Sequence, residues 1–106
     1  MPASTDDGKL GDPALLILTS LAEGAKHGYA MVDDIERFSG SRLGPGTLYG
    51  ALVRLEERGL IKPVESADRR RPYRLTMRGS QALAREAEAL DRVVRLVKVR
   101  LAGSTE

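Results

Sequence analysis

The chain contains no cysteine and no tryptophan, and only one histidine and one phenylalanine among its 106 residues. Without cysteine there is no disulfide, no thiolate metal site and no cysteine nucleophile. His27 by itself cannot form a histidine cluster. Long apolar runs are missing as well. The longest, residues 14–18, is far short of the ~20 residues that span a bilayer. The opening "MPASTDDGK" lacks both the positive start and the apolar stretch of a signal peptide, so a cytoplasmic location is expected. Catalytic patterns are absent too. There is no pair of carboxylates in a pocket-forming pattern and no nucleophile with a plausible base. The glycines of "GPGTLYG" fit neither a Walker loop nor a dinucleotide-binding loop. The sequence therefore predicts no enzyme, no cofactor and no metal.

What is present describes one folded domain. Hydrophobic residues make up 42% and charged residues 30%, a balance that suits a soluble globular chain rather than a disordered one. The formal net charge is +2, and its distribution says more than its sum. Residues 1–12 carry Asp6, Asp7 and Asp12 against Lys9, whereas residues 67–78 carry Arg69, Arg70, Arg71, Arg74 and Arg78 against Asp68. A basic cluster in a nearly balanced chain points to an anionic partner, with nucleic acid the leading class.

The periodicity predicts an order of helix, helix, helix, hairpin, long helix. Residues 1–11 read as a disordered tail. Asp12 caps a first helix with Pro13 at its first position, apolar residues at Leu15, Leu16, Leu18 and Leu21, and an end at Gly24. His27 reads as a structural residue in the turn before a second helix over 28–38, where Met31, Val32 and Ile35 share a face. The third helix lies in "GPGTLYGALVRLEERGLI" (44–61). Leu48, Ala51, Leu52 and Leu55 form its inner face, and Gly59 gives it a left-handed stop. Residues 61–65 and 72–75 then read as two strands around a basic turn, with Pro72 confining its strand to an edge or strand-start role. Thr76 caps a last helix over 77–101. Its residues Leu83, Ala87, Leu90, Val94, Val97 and Leu101 are spaced by four and three in alternation, a heptad seam. A helix of that length, roughly 38 Å at 1.5 Å per residue, outreaches so small a core. The second half of the seam is therefore expected to meet the same helix of a second chain.

Three helices followed by a basic hairpin outline a winged helix-turn-helix, whose third helix enters the major groove while the hairpin meets backbone phosphates. This explains two costly residues. Glycine inside a helix costs about 1 kcal/mol against alanine, yet the outward line of the third helix holds Gly46 and Gly50, followed by Val53 and Glu57. A bare centre lets the helix axis come close to base edges. Thr47 beside the positive helix end and the Tyr49 hydroxyl can meet phosphates, although Tyr49 can equally pack on the second helix. Arg54 can reach a base or a phosphate, or pair with Glu56 or Glu57. Arg42, ahead of the helix, and Arg69, Arg70 and Arg71 at the hairpin tip complete the expected DNA-contacting set.

At "KHGY" (26–29), "GTLYGALVRLEERGLI" (46–61) and "RRRPYRLTMRG" (69–79) the sequence resembles the PadR family of bacterial transcription regulators, in matching order and spacing over residues 14–80. The short chain with one C-terminal helix resembles the family's shorter subgroup. The resemblance implies an α+β, mostly α fold: a winged helix-turn-helix with a two-stranded β-hairpin wing over 12–76, a dimerisation helix over 77–102 and a disordered end over 103–106. It implies a homodimer on double-stranded operator DNA, usually a repressor, associated with the nucleoid when bound. Any small-molecule effector is left unspecified. The chain departs from the family pattern at Gly50, where many members have proline, and at Pro72, where an aromatic or basic residue is common. Some members bind aromatic drugs between tryptophans at the dimer centre, and this chain has none. The alternative to DNA binding is a winged helix that docks another protein through its third helix or hairpin.

Overall fold

The computed structural model describes residues 12–67 and 69–103. Its elements are α1 (Asp12–Leu21), α2 (Gly28–Ser39), α3 (Pro45–Glu57), β1 (Ile61–Pro63), β2 (Tyr73–Leu75) and α4 (Met77–Gly103). The expected order of elements and the mostly helical α+β class hold. The tail over 1–11 lies outside the described residues. At the other end residue 103 still belongs to α4, and residues 104–106 lie outside the description.

The core gathers one face from each of the first three helices. Met31, Val32 and Ile35 of α2 meet Leu48, Ala51, Leu52 and Leu55 of α3, with Leu60 and Ile61 closing the base. From α1 the buried side chains are Ile17, Leu18 and Leu21, while Leu15 and Leu16 are only partly buried. The expected stripe named Leu15 and Leu16 and passed over Ile17. Residues 14–18 are apolar without interruption, so the pattern does not select a face; packing against α2 and α3 does. The helix also stops at Leu21 instead of running to Gly24, which lies in the following turn.

Helix α2 begins on His27, whose Nδ1 accepts from the Ala30 amide at 3.4 Å, so the lone histidine is a helix cap. Lys26 beside it is nearly buried. Its ammonium donates to the Ser20 carbonyl and pairs with Glu23 at 2.8 Å, with Asp34 3.8 Å away. The Ser20 hydroxyl makes no hydrogen bond of ordinary geometry. Its proximity is nevertheless the main cause holding the Asp34 carboxyl below its usual value, aided by Lys26 and Arg37 against the opposing effect of burial.

The hairpin is antiparallel, with Ile61 opposite Leu75, Lys62 opposite Arg74 and Pro63 opposite Tyr73. Both strands are shorter than expected. Pro63 ends β1, and β2 starts one residue after Pro72, whose carbonyl still accepts from the Val64 amide at 2.9 Å. Neither proline has an amide hydrogen to extend the ladder. On its other side β2 pairs with Lys26: the Lys26 and Tyr73 amides each donate to the other's carbonyl, at 3.1 and 2.9 Å. The wing is thus tied to the turn between α1 and α2, a third rung that two apolar runs in the sequence did not reveal.

The turn after α3 meets the start of α4 at close range. Gly59 adopts φ +77°, the left-handed conformation expected of it, and the Leu60 amide reaches back to the Leu55 carbonyl at 3.0 Å. The Thr76 hydroxyl donates to the Gly59 carbonyl at 2.6 Å and accepts from the Gly79 amide at 3.0 Å, so Thr76 is the cap that the sequence predicted. Gly79 lies directly on Leu60: a β-carbon there would sit 2.0 Å from the Leu60 carbonyl oxygen. That close approach sets the direction in which α4 leaves the domain.

Candidate nucleic-acid interface

Helix α3 starts on Gly44, which offers no side-chain cap, with Pro45 in its first turn. Its leading amides are therefore open to solvent or to a ligand. With Leu48, Ala51, Leu52 and Leu55 buried, the outer face consists of Gly46, Thr47, Tyr49, Val53, Arg54 and Glu57, all exposed, around a half-buried Gly50. This is the face expected from the spacing. Space above Gly46 is open, and the Arg54 guanidinium folds over Gly50, 3.4 Å from where a β-carbon would stand.

Tyr49 is accessible and at the same time lies against the second helix. It is 61% exposed, yet its hydroxyl lies 3.9 Å from the β-carbon position of Gly28 at the start of α2. A cleft of about 310 Å³ separates these two helix starts, with Tyr29, Arg42, Pro45 and Tyr49 on its walls. Tyr29 was not among the expected site residues, although it is 70% exposed. The signal for it was present in the sequence: Tyr29 is an aromatic residue in line with Asp33 and Glu36 on the polar side of α2, not with Met31 and Ile35.

Arg42 has intrachain partners that the sequence did not suggest. Its guanidinium turns back onto α2, with Nη1 2.6 Å from Glu36 Oε1 and 3.3 Å from Asp33 Oδ1. The hydrogen bonds it donates to Glu36 and then to Asp33 hold its proton more firmly than usual. Arg42 lies in the loop after α2 and its partners lie six and nine residues back in that helix, a spacing that no helical or strand period announces.

The three arginines of the wing, Arg69, Arg70 and Arg71, are all exposed in the turn between β1 and β2. The rest of the basic cluster does not gather with them. Arg74 donates to the Leu75 carbonyl at 3.0 Å. Arg78 places its Nη1 3.5 Å from the β-carbon position of Gly59, beside the negative end of α3.

On α4 the seam divides as the spacing suggested. Leu83 packs on the core, with Ala82 beside it. Ala87, Leu90, Val94, Val97 and Leu101 are exposed, and Val93 and Leu96 widen the same uncovered face. Among the described residues, no cluster of side chains could hold a metal ion and no helix is long and apolar enough to cross a membrane.

Comparison with known proteins agrees with this geometry. Residues 17–85 match the transcriptional regulator PadR-like family. The transcriptional regulator Rv3488 of Mycobacterium tuberculosis is 38% identical over 86 residues, which cover 78% of this chain and 79% of that protein. A 37.1 kDa protein of transposon Tn4556 from Streptomyces fradiae is 48% identical over 85 residues; they cover 80% of this chain but only 25% of that longer protein. Among solved structures, a PadR family transcription regulator from Clostridium difficile R20291 superposes with a TM-score of 0.78 at 27% identity, covering 86% of this chain and 99% of that one.

Proposed function

Because the chain belongs to the PadR-like family of transcriptional regulators, we propose that it acts as a repressor, bound as a homodimer to an inverted-repeat operator. It is a DNA-binding regulator and not an enzyme. In the proposed complex α3 lies in the major groove, with Gly46 and Gly50 toward the base edges and Thr47, Tyr49 and Arg54 beside them. Arg69, Arg70 and Arg71 of the wing meet phosphates, and Arg42 reaches the backbone once it leaves its two carboxylates. The apolar faces of two α4 helices, from Leu83 through Ala87, Leu90, Val94 and Val97 to Leu101, close the dimer.

The observation that carries this reading is the outer face of α3. Four side chains anchor its inner side in the core, yet the opposite side carries no side chain of its own at Gly46 and Gly50, where only the mobile end of Arg54 covers the second glycine. Glycine weakens a helix, and close approach to another surface offsets that cost. Mobility-shift and footprinting assays on the protein's own upstream DNA test the proposal. Two protected half-sites are expected, with centres about 10 bp apart. Gly50→Leu should keep the melting temperature, since the Arg54 guanidinium can swing aside, and should weaken the shifted complex. A single asymmetric half-site would remove the dimer from the account. Unchanged affinity in Gly50→Leu would mean that this face does not meet DNA.

A further inference from the structure

The outward line of α3 runs Gly46, Gly50, Val53, Glu57, at spacings of four, three and four that keep the residues on one side of the helix. Val53 is the only apolar side chain in that line. It is 55% exposed, and it is not a core residue forced outward, because Leu48, Ala51, Leu52 and Leu55 already fill the inner face. A β-branched residue at an exposed helical site gains nothing from helix propensity and leaves apolar surface in water.

The major groove contains one apolar group for such a side chain to meet. Its hydrogen-bonding edges are polar, and the exception is the C5-methyl of thymine. The two glycines preceding Val53, once the Arg54 guanidinium swings off Gly50, let the axis come near enough for a short side chain to touch the floor of the groove. Valine has no donor or acceptor, so what it can recognise there is a methyl. We propose that Val53 reads the C5-methyl of one thymine in each operator half-site. This rests on the DNA-binding reading above and adds a base preference to it.

The test uses a duplex selected from a random library by the wild-type protein. Each thymine of the selected half-sites is replaced in turn by deoxyuridine, which removes the methyl and keeps every hydrogen-bonding group. One position per half-site should weaken binding about fourfold on losing its methyl, and about fifteenfold when both half-sites lose it, as expected for one buried carbon. In Val53→Ser thymine and uracil should bind alike at that position. Affinity for random duplex should match the wild type, because phosphate contacts are untouched. A wild-type protein indifferent to uracil at every position overturns the proposal, as does a uracil effect that survives in Val53→Ser. The first of these outcomes needs no variant to fold. Failure to enrich any duplex would remove the DNA-binding reading itself, whereas an enriched operator blind to uracil removes only the assignment to Val53.

Discussion

Gly79 shows how much a single hydrogen atom can decide. Helix propensity alone favours alanine there by about 1 kcal/mol. The β-carbon would nevertheless overlap the Leu60 carbonyl, a backbone group that cannot turn away and already accepts from the Thr76 amide at 3.1 Å. Overpacking of this kind costs 1–3 kcal/mol or more. Gly79→Ala should therefore lower stability by a net of about 2 kcal/mol, read as a fall in melting temperature of roughly 8 °C or more. A melting temperature equal to or above that of the wild type would show that the joint yields. Sequence pattern gives no warning of this contact. Gly79 reads as an indifferent position early in a long helix, and its reason lies in a carbonyl nineteen residues earlier in the chain. Thr76 differs, because a cap bonds the amide three residues on and its signal is local.

The elements were legible where their cause is local. The inner face of α3 is fixed by the spacing of Leu48, Ala51, Leu52 and Leu55, and its stop by Gly59. The wing was legible as a hairpin but not as part of a larger sheet, since its bond to Lys26 joins residues almost fifty apart. That attachment holds the base of the wing while its tip projects. Replacing Arg69, Arg70 and Arg71 by alanine should then change stability by no more than roughly 0.5 kcal/mol, as at most surface sites. DNA binding should respond differently. Each phosphate neutralised contributes about 0.9 to the slope of log affinity against log salt. A dimer presents six of these arginines; if half of them meet phosphates, the slope should shrink by roughly 3. A salt titration of the shifted complex, wild type beside triple variant, reads this directly. Equal slopes would place the wing away from DNA and favour protein docking.

For the whole molecule the governing feature is disproportion. The described chain extends 60 × 34 × 23 Å, and α4, with 27 residues, is about 40 Å long. Its first turns rest on the core through Gly79, Ala82 and Leu83, and beyond them Leu90, Val93, Val94, Leu96 and Val97 are uncovered. A second copy could cover this face, which is the proposed dimer. Leu90→Asp with Val97→Asp should leave the single chain folded, because both side chains are already exposed in it. The same changes would bury four carboxylates in a dimer seam, two from each chain, at a cost of several kcal/mol. Light scattering at micromolar protein should show the mass halve while helical circular dichroism persists. An intact dimer would remove this seam from the interface.

Local patterns alone determined the element order, the α3 and α4 faces, the Gly59 stop, the Thr76 cap and the absence of cysteine chemistry. Composition alone settles the last of these, and the others depend on residues within one or two turns of their neighbours, so periodicity and capping residues suffice to express them. Tertiary structure decided the rest. It chose Ile17 from an apolar run that offered several faces, turned Arg42 onto Asp33 and Glu36, and drew Arg78 to the end of α3. It also tied Lys26 into the wing and required glycine at position 79. In each case the deciding partner lies in another element or across a turn, and it acts through a carbonyl, a carboxylate or a packed side chain whose position exists only once the chain has folded.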